Sequence, residues 1–209
     1  MNRKKSAATT ILTAMSAVTV WAAFVTGTEP PATDVAGSFA AIAALLAVSV
    51  ILKMDDILYF LGCGFVYFAS PIGSVLDMYT RFGPYDKIIH FISGMLLAGF
   101  GMMMISRLLK RAFPDEEGLS ASSDEGKRKA LKISRMIFAF FFSSACAGIW
   151  EIFEFTSDKL LGGGMQRGME DTVTDIIAGN GGALLYCIVW VFGSCVYERQ
   201  HRHKHLEKG

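Results

Sequence analysis

Charge is what this chain has least of. Asp, Glu, Lys and Arg make up only 19% of its 209 residues, against 52% hydrophobic residues and a mean hydropathy of +0.40. That balance is too apolar for an ordinary soluble domain of this length. Cysteine is scarce too: Cys63, Cys146, Cys187 and Cys195 all fall inside apolar runs. They show neither metal-ligand spacing nor a disulfide framework, and read as small side chains facing helices or lipid. There is no nucleotide-binding glycine loop, no Ser, His, Asp triad and no internal repeat. A net charge of +1 singles out no acidic or basic partner, and no nucleic-acid partner is expected. These absences leave an integral membrane protein whose partners are membrane lipids; they say nothing of oligomeric state.

What the chain does have is long apolar runs. Measured against the roughly 20 residues a helix needs to cross a bilayer, they fall at 7–26, 35–52, 56–70, 87–106, 135–155 and 173–196. The third is short, contains Gly62 and Gly64 and ends at Pro71, which suits a tilted or re-entrant element as well as a full span. The start, "MNRKK" before an apolar run, has the look of a signal peptide but no small-x-small cleavage site before "TGTEPP", so a retained first helix or signal anchor is expected.

Loop charge tests the count, because cytoplasmic loops are rich in Lys and Arg. Arg3, Lys4 and Lys5 open the chain, "GTEPPATD" has no basic residue, "RLLKR" and "KRK" fall between 107 and 135, and the tail reads "ERQHRHKHLEKG". Six spans put all three basic blocks on one side. The expectation is therefore an all-α, polytopic transmembrane bundle of about six spans with both termini cytoplasmic. Residues 1–209 form one transmembrane domain, 107–134 a charged cytoplasmic loop and 198–209 a basic cytoplasmic tail. His201, His203 and His205 in that tail suit metal or an anionic membrane surface equally.

With this topology three spans bring ionisable pairs to the outer side. Asp86 and His90 open the fourth, Glu151 and Glu154 lie near the end of the fifth, and Asp171 and Asp175 open the sixth. The i,i+4 and i,i+3 spacings put each pair on one helical face. His90 lies 17 residues before Arg107 and Glu151 16 after Arg135, or roughly 24 to 26 Å at 1.5 Å per residue. In a core of about 30 Å both sit several Å below the outer surface. Asp175, 24 residues before Arg199, is shallower unless its helix tilts.

Gathered carboxylates need protons, a cation or basic neighbours. Asp86, His90, Glu151, Glu154, Asp171 and Asp175 suit a divalent Mg, Mn or Zn ion with positions left for water or a phosphate oxygen. Glu151, Glu154 and His90 are the residues that would carry any turnover. Lys87 and Arg167, the latter in the glycine-rich "DKLLGGGMQRGMEDT" loop, suit a lipid phosphate; Arg81 and Lys159 are further basic neighbours. A structural role stands beside this one: Asp86 and Asp171 as helix caps, the two glutamates as partners of Lys87 or Arg167, Trp150 and Phe155 as belt and packing residues, and "AGNGGA" (178–183) as a close-packing surface. A proton or cation pathway is a third possibility, although between His90 and Arg107 the polar residues are few, chiefly Ser93 and Ser106.

In order and spacing, "YDKIIHF", "WEIFEF" and "DTVTDIIAGNGGA" across 84–185 resemble the VanZ-like membrane proteins and the related YjdF-type family. The VanZ-like pattern has Glu followed by Gln in the second motif, where this chain has Glu154. The resemblance implies a multi-pass protein of the bacterial cytoplasmic (inner) membrane, in a group associated with glycopeptide-antibiotic resistance.

Overall fold

The structure is a computed structural model that describes residues 3–112, 125–162 and 164–206, and their side chains except at 161 and from 195 onward. The described residues form helices and no strand: α1 (Arg3–Val25), α2 (Ala32–Ile51), α3 (Asp56–Tyr67) running into a π-helical segment (Phe68–Val75), the single turn α4 (Met78–Arg81), α5 (Tyr85–Ala112), α6 (Glu125–Leu161) and α7 (Met169–Leu206). Six of these runs are long and apolar enough to cross a membrane, Asp56–Val75 among them. The chain is a polytopic helical membrane bundle. The helices group into two compact units, Met1–Leu96 and Leu97–Gly209, divided within α5.

In the first unit the inward faces mix small and polar residues with a few bulky ones such as Leu12, Ile42 and Tyr59, while many bulky apolar side chains point out. Lys5, Leu12, Ser16, Thr19 and Ala23 are the buried residues of α1, a stripe at helical spacing, while Ile11, Val18, Trp21 and Phe24 are exposed. Ser38, Ile42 and Ser49 mark the equivalent stripe on α2. Lipid is as apolar as a Leu side chain, so burial of oil drives little here; close approach and hydrogen bonds between spans hold the unit. Thr9 Oγ1 and Tyr59 Oη lie 2.6 Å apart, Thr19 Oγ1 and Tyr67 Oη 3.0 Å, and the Ser38 and Ser70 hydroxyls 2.8 Å. Lys5 is drawn inward as well: its ammonium donates to the Met54 carbonyl, lies 3.7 Å from Asp56 and sits over the Tyr59 ring.

The third span does not stop at Pro71. A proline has no N–H to give the α-helical ladder and its ring crowds the preceding turn; the chain accommodates it by widening into the π segment, with Pro71 buried inside. Tyr85 then donates its hydroxyl to the Phe68 carbonyl at 2.6 Å, satisfying a backbone acceptor beside the irregular turn.

In the second unit the rest of α5 packs on α6 and α7 through small residues. A Cβ on Gly101 would stand 3.2 Å from the Ala139 backbone and 3.0 Å from Phe142, and one on Gly99 would stand 3.3 Å from Tyr186. Helices α6 and α7 pack against each other, with the Cys187 thiol 3.8 Å from the Met136 carbonyl. The expected loop 107–134 is shorter than the charge pattern suggests, because 107–112 complete α5 and 125–134 open α6; basic side chains are good helix formers. Residues 113–124 of that loop, and the histidine side chains of the tail, lie outside the described residues.

Candidate functional site

Ionisable side chains inside apolar spans are costly, so their placement is informative. Three of the expected six are almost completely buried: His90 at 8% exposed, Glu151 at 5% and Asp175 at 1%. Each belongs to a different span, α5, α6 or α7, and each therefore faces protein in preference to lipid. Asp86, Glu154 and Asp171 are half-buried.

Within the first unit, Asp86 and His90 meet as their i,i+4 spacing requires, with Asp86 Oδ1 3.6 Å from His90 Nε2. Lys87 Nζ lies 3.5 Å from the other carboxylate oxygen. Asp86 is the second residue of α5 and Asp171 the third of α7. Both sit inside the first turn instead of preceding it as caps, where a carboxylate still gains from the helix dipole.

In the second unit the two glutamates of "WEIFEF" divide. Glu151 is buried, while Glu154 accepts a 2.8 Å hydrogen bond from Trp150 Nε1 on the turn before it. Trp150 is itself exposed, so the expected belt tryptophan also orients one of the carboxylates. Arg167 lies exposed on the connection between α6 and α7.

That connection is fastened by a residue the sequence pattern did not single out. Asp158, near the end of α6, accepts from the backbone N–H groups of Met165 at 3.0 Å and Gln166 at 2.8 Å. Gln166 Nε2 reaches Thr172 Oγ1 at 3.3 Å. Gly162 and Gly168 take positive φ values of 72° and 122°, a conformation glycine adopts without steric cost. Asp158 thereby sets the loop on which Arg167 stands. The signal available was an Asp just before a glycine run, a residue type that bonds nearby backbone N–H groups.

The depth estimates gain from the helix bounds. His90 to Arg107 lies within α5, Arg135 to Glu151 within α6, and Asp175 to Arg199 within α7, so a rise of about 1.5 Å per residue applies along each without interruption.

Six apolar spans with buried ionisable groups define a polytopic integral membrane protein. Its sequence matches the family described as "Predicted membrane protein (DUF2238)" over residues 7–195, and the chain belongs to that family. It is similar to a protein of Thermotoga maritima described as uncharacterized, with 28% identity over 113 residues, 54% of this chain and 50% of that one. The chain thus matches about half the length of that relative. No solved structure matches.

Proposed function

We propose that this protein binds the phosphate head group of an envelope lipid through a divalent cation held near the outer face of the bacterial cytoplasmic membrane. The observation that carries the proposal is the burial of His90, Glu151 and Asp175, one ionisable group on each of three spans. Asp86, Glu154 and Asp171 complete the donor set, and the VanZ-like order of the three motifs supports the cell-envelope setting.

The donors suit a hard or borderline cation: carboxylate oxygens and one imidazole, with no thiolate. Two ligands each about 2.1 Å from one ion stand at most about 4.2 Å apart, and the 3.6 Å between Asp86 Oδ1 and His90 Nε2 lies inside that limit while exceeding a good hydrogen bond. A bound Mg, Mn or Zn ion would supply Lewis acidity toward a phosphate oxygen. Glu151, Glu154 and His90 would handle protons in any hydrolase or transferase step, and Lys87 and Arg167 would meet the phosphate. A structural lock is the second reading, favoured by the contacts of Asp86 with Lys87 and His90.

The test is lipid-phosphate binding and turnover in proteoliposomes for wild type, Glu151→Gln and Asp175→Asn. Loss of binding in both folded variants is expected. Full binding and turnover in either variant argues against the proposal, and loss of stability with unchanged binding favours the lock.

A further inference from the structure

The opposite, basic end of the second unit carries a separate feature. The described turns from Arg107 to Arg135 hold eight Lys and Arg residues against the single acid Glu125. On α6, Arg128, Lys132 and Arg135 are spaced i, i+4, i+7 and share a face. The contacts fix where that face lies. Lys132 Nζ sits 5.7 Å from the Trp190 ring centroid on α7, and one residue past Arg135 the Met136 carbonyl meets Cys187. The stripe therefore runs along the α6–α7 seam.

Arg135 is the unusual member. Its Nε is buried and has no hydrogen-bond partner among the described residues, although a buried guanidinium N–H normally finds an acceptor. Arg135 as a whole is only half-buried, so an acceptor from outside the chain can still meet its guanidinium, whose planar fork matches a phosphate as it does a carboxylate. The level in the membrane says where that phosphate comes from. Trp190, with an apolar ring and a polar N–H, marks a membrane interface. Deeper in the bilayer both helices expose apolar side chains, Ile137 and Phe141 on α6, Leu185 and Ile188 on α7, against which acyl chains can lie.

We infer that the α6–α7 seam at Lys132, Arg135 and Trp190 is a seat for an anionic phospholipid of the leaflet on the basic side. It is independent of the carboxylate site, which lies toward the other end of these spans. Its phosphate sits between Lys132 and Arg135, where charge attraction adds to the general pull of a basic collar on that leaflet.

The ring of Trp190 makes the seat measurable. Trp21→Phe and Trp150→Phe leave it as the one tryptophan; both replaced rings are exposed, and the Trp150 hydrogen bond to Glu154 that is lost lies toward the other end of α6, away from the seat. The protein is reconstituted in phosphatidylcholine, and brominated phosphatidylglycerol or brominated phosphatidylcholine is added at matched mole fraction. Trp190 fluorescence should be quenched by the anionic lipid at roughly thirtyfold lower mole fraction, as two phosphate-facing charges imply. Lys132→Gln/Arg135→Gln should remove the preference while quenching by the neutral lipid persists, and the charge-retaining Arg135→Lys should keep part of it. Soluble glycerol phosphate at millimolar concentration should leave the quenching unchanged. Equal quenching by the two lipids in the otherwise wild-type protein overturns the inference whatever the variants do. So does a preference that survives the double Gln variant, and relief by glycerol phosphate overturns the assignment to a lipid.

Discussion

A methyl group added at Gly101 asks how closely α5 and α6 approach. Its Cβ would stand 3.2 Å from the Ala139 backbone and 3.0 and 3.1 Å from Phe142, tighter than ordinary van der Waals contact. Alanine gains about 1 kcal/mol of helix propensity over glycine and loses a similar amount by pushing Phe142 and the α6 backbone apart by a few tenths of an ångström, so Gly101→Ala should be near neutral. Gly101→Val adds two γ-carbons beyond a Cβ already crowded by Phe142 and the Ala139 backbone. Overpacking of this kind costs about 1–3 kcal/mol, and valine recovers only about 0.4 kcal/mol of propensity. The net loss is about 0.6–2.6 kcal/mol, or roughly 1 to 10 °C in Tm for a chain of this size. Gly148 on α6 supplies the control, since a Cβ there meets nothing within 4 Å; Gly148→Val should not destabilise. Thermal unfolding in detergent, monitored by circular dichroism, reads both. A Gly101→Val variant as stable as wild type would refute the close approach, and Phe142→Ala should partly rescue it if Phe142 is the obstacle.

Other perturbations follow from single contacts. Lys5→Met removes the partner of Asp56 and the donor to Met54, and should cost about 1–3 kcal/mol. Most of that should return in Lys5→Met/Asp56→Asn, and a single variant as stable as wild type would count against a buried Lys5. Tyr85→Phe leaves the Phe68 carbonyl beside the π turn without its 2.6 Å donor, at a cost of about 1–2 kcal/mol. Faster amide exchange confined to Phe68–Val75 and its neighbours is the expected sign, and unchanged exchange there would refute it. Asp158→Ala should loosen the 162–168 connection and speed its proteolysis without lowering the stability of the helices, because the two N–H groups it accepts from, Met165 and Gln166, lie in that loop.

Much of the fold was legible because crossing a bilayer leaves so few options: every backbone group must be satisfied internally, and about 20 apolar residues in a row mean a helix. All six runs became spans. The faces were harder to read. In α1 nearly everything is apolar or small, and only the spacing of Lys5, Leu12, Ser16, Thr19 and Ala23 tells inside from outside. Lys5 belongs to the basic block that sets topology, yet it lies buried against α3; loop charge says which side a residue is on and nothing of its depth. Pro71 read as an end because proline removes an α-helical hydrogen bond, and a π turn that absorbs the loss leaves no separate mark in the sequence. The candidate site was legible as residue types, since His90, Glu151 and Asp175 interrupt apolar runs. That Glu154 would bind Trp150 while Glu151 turned inward was not: the i,i+3 spacing of the glutamates competes with the i,i+4 spacing of Trp150 and Glu154, and local geometry decides between them.

Metal content tests the proposed cation site most directly. Protein purified without a polyhistidine tag or chelator is analysed for its elements, comparing wild type with Glu151→Gln/Glu154→Gln and with Asp175→Asn, each first shown to be folded. A cation site at these buried groups predicts a stoichiometric divalent metal in wild type that is lost or strongly reduced in both variants. A folded wild type with no such metal, or with a metal that both variants retain in full, would contradict it.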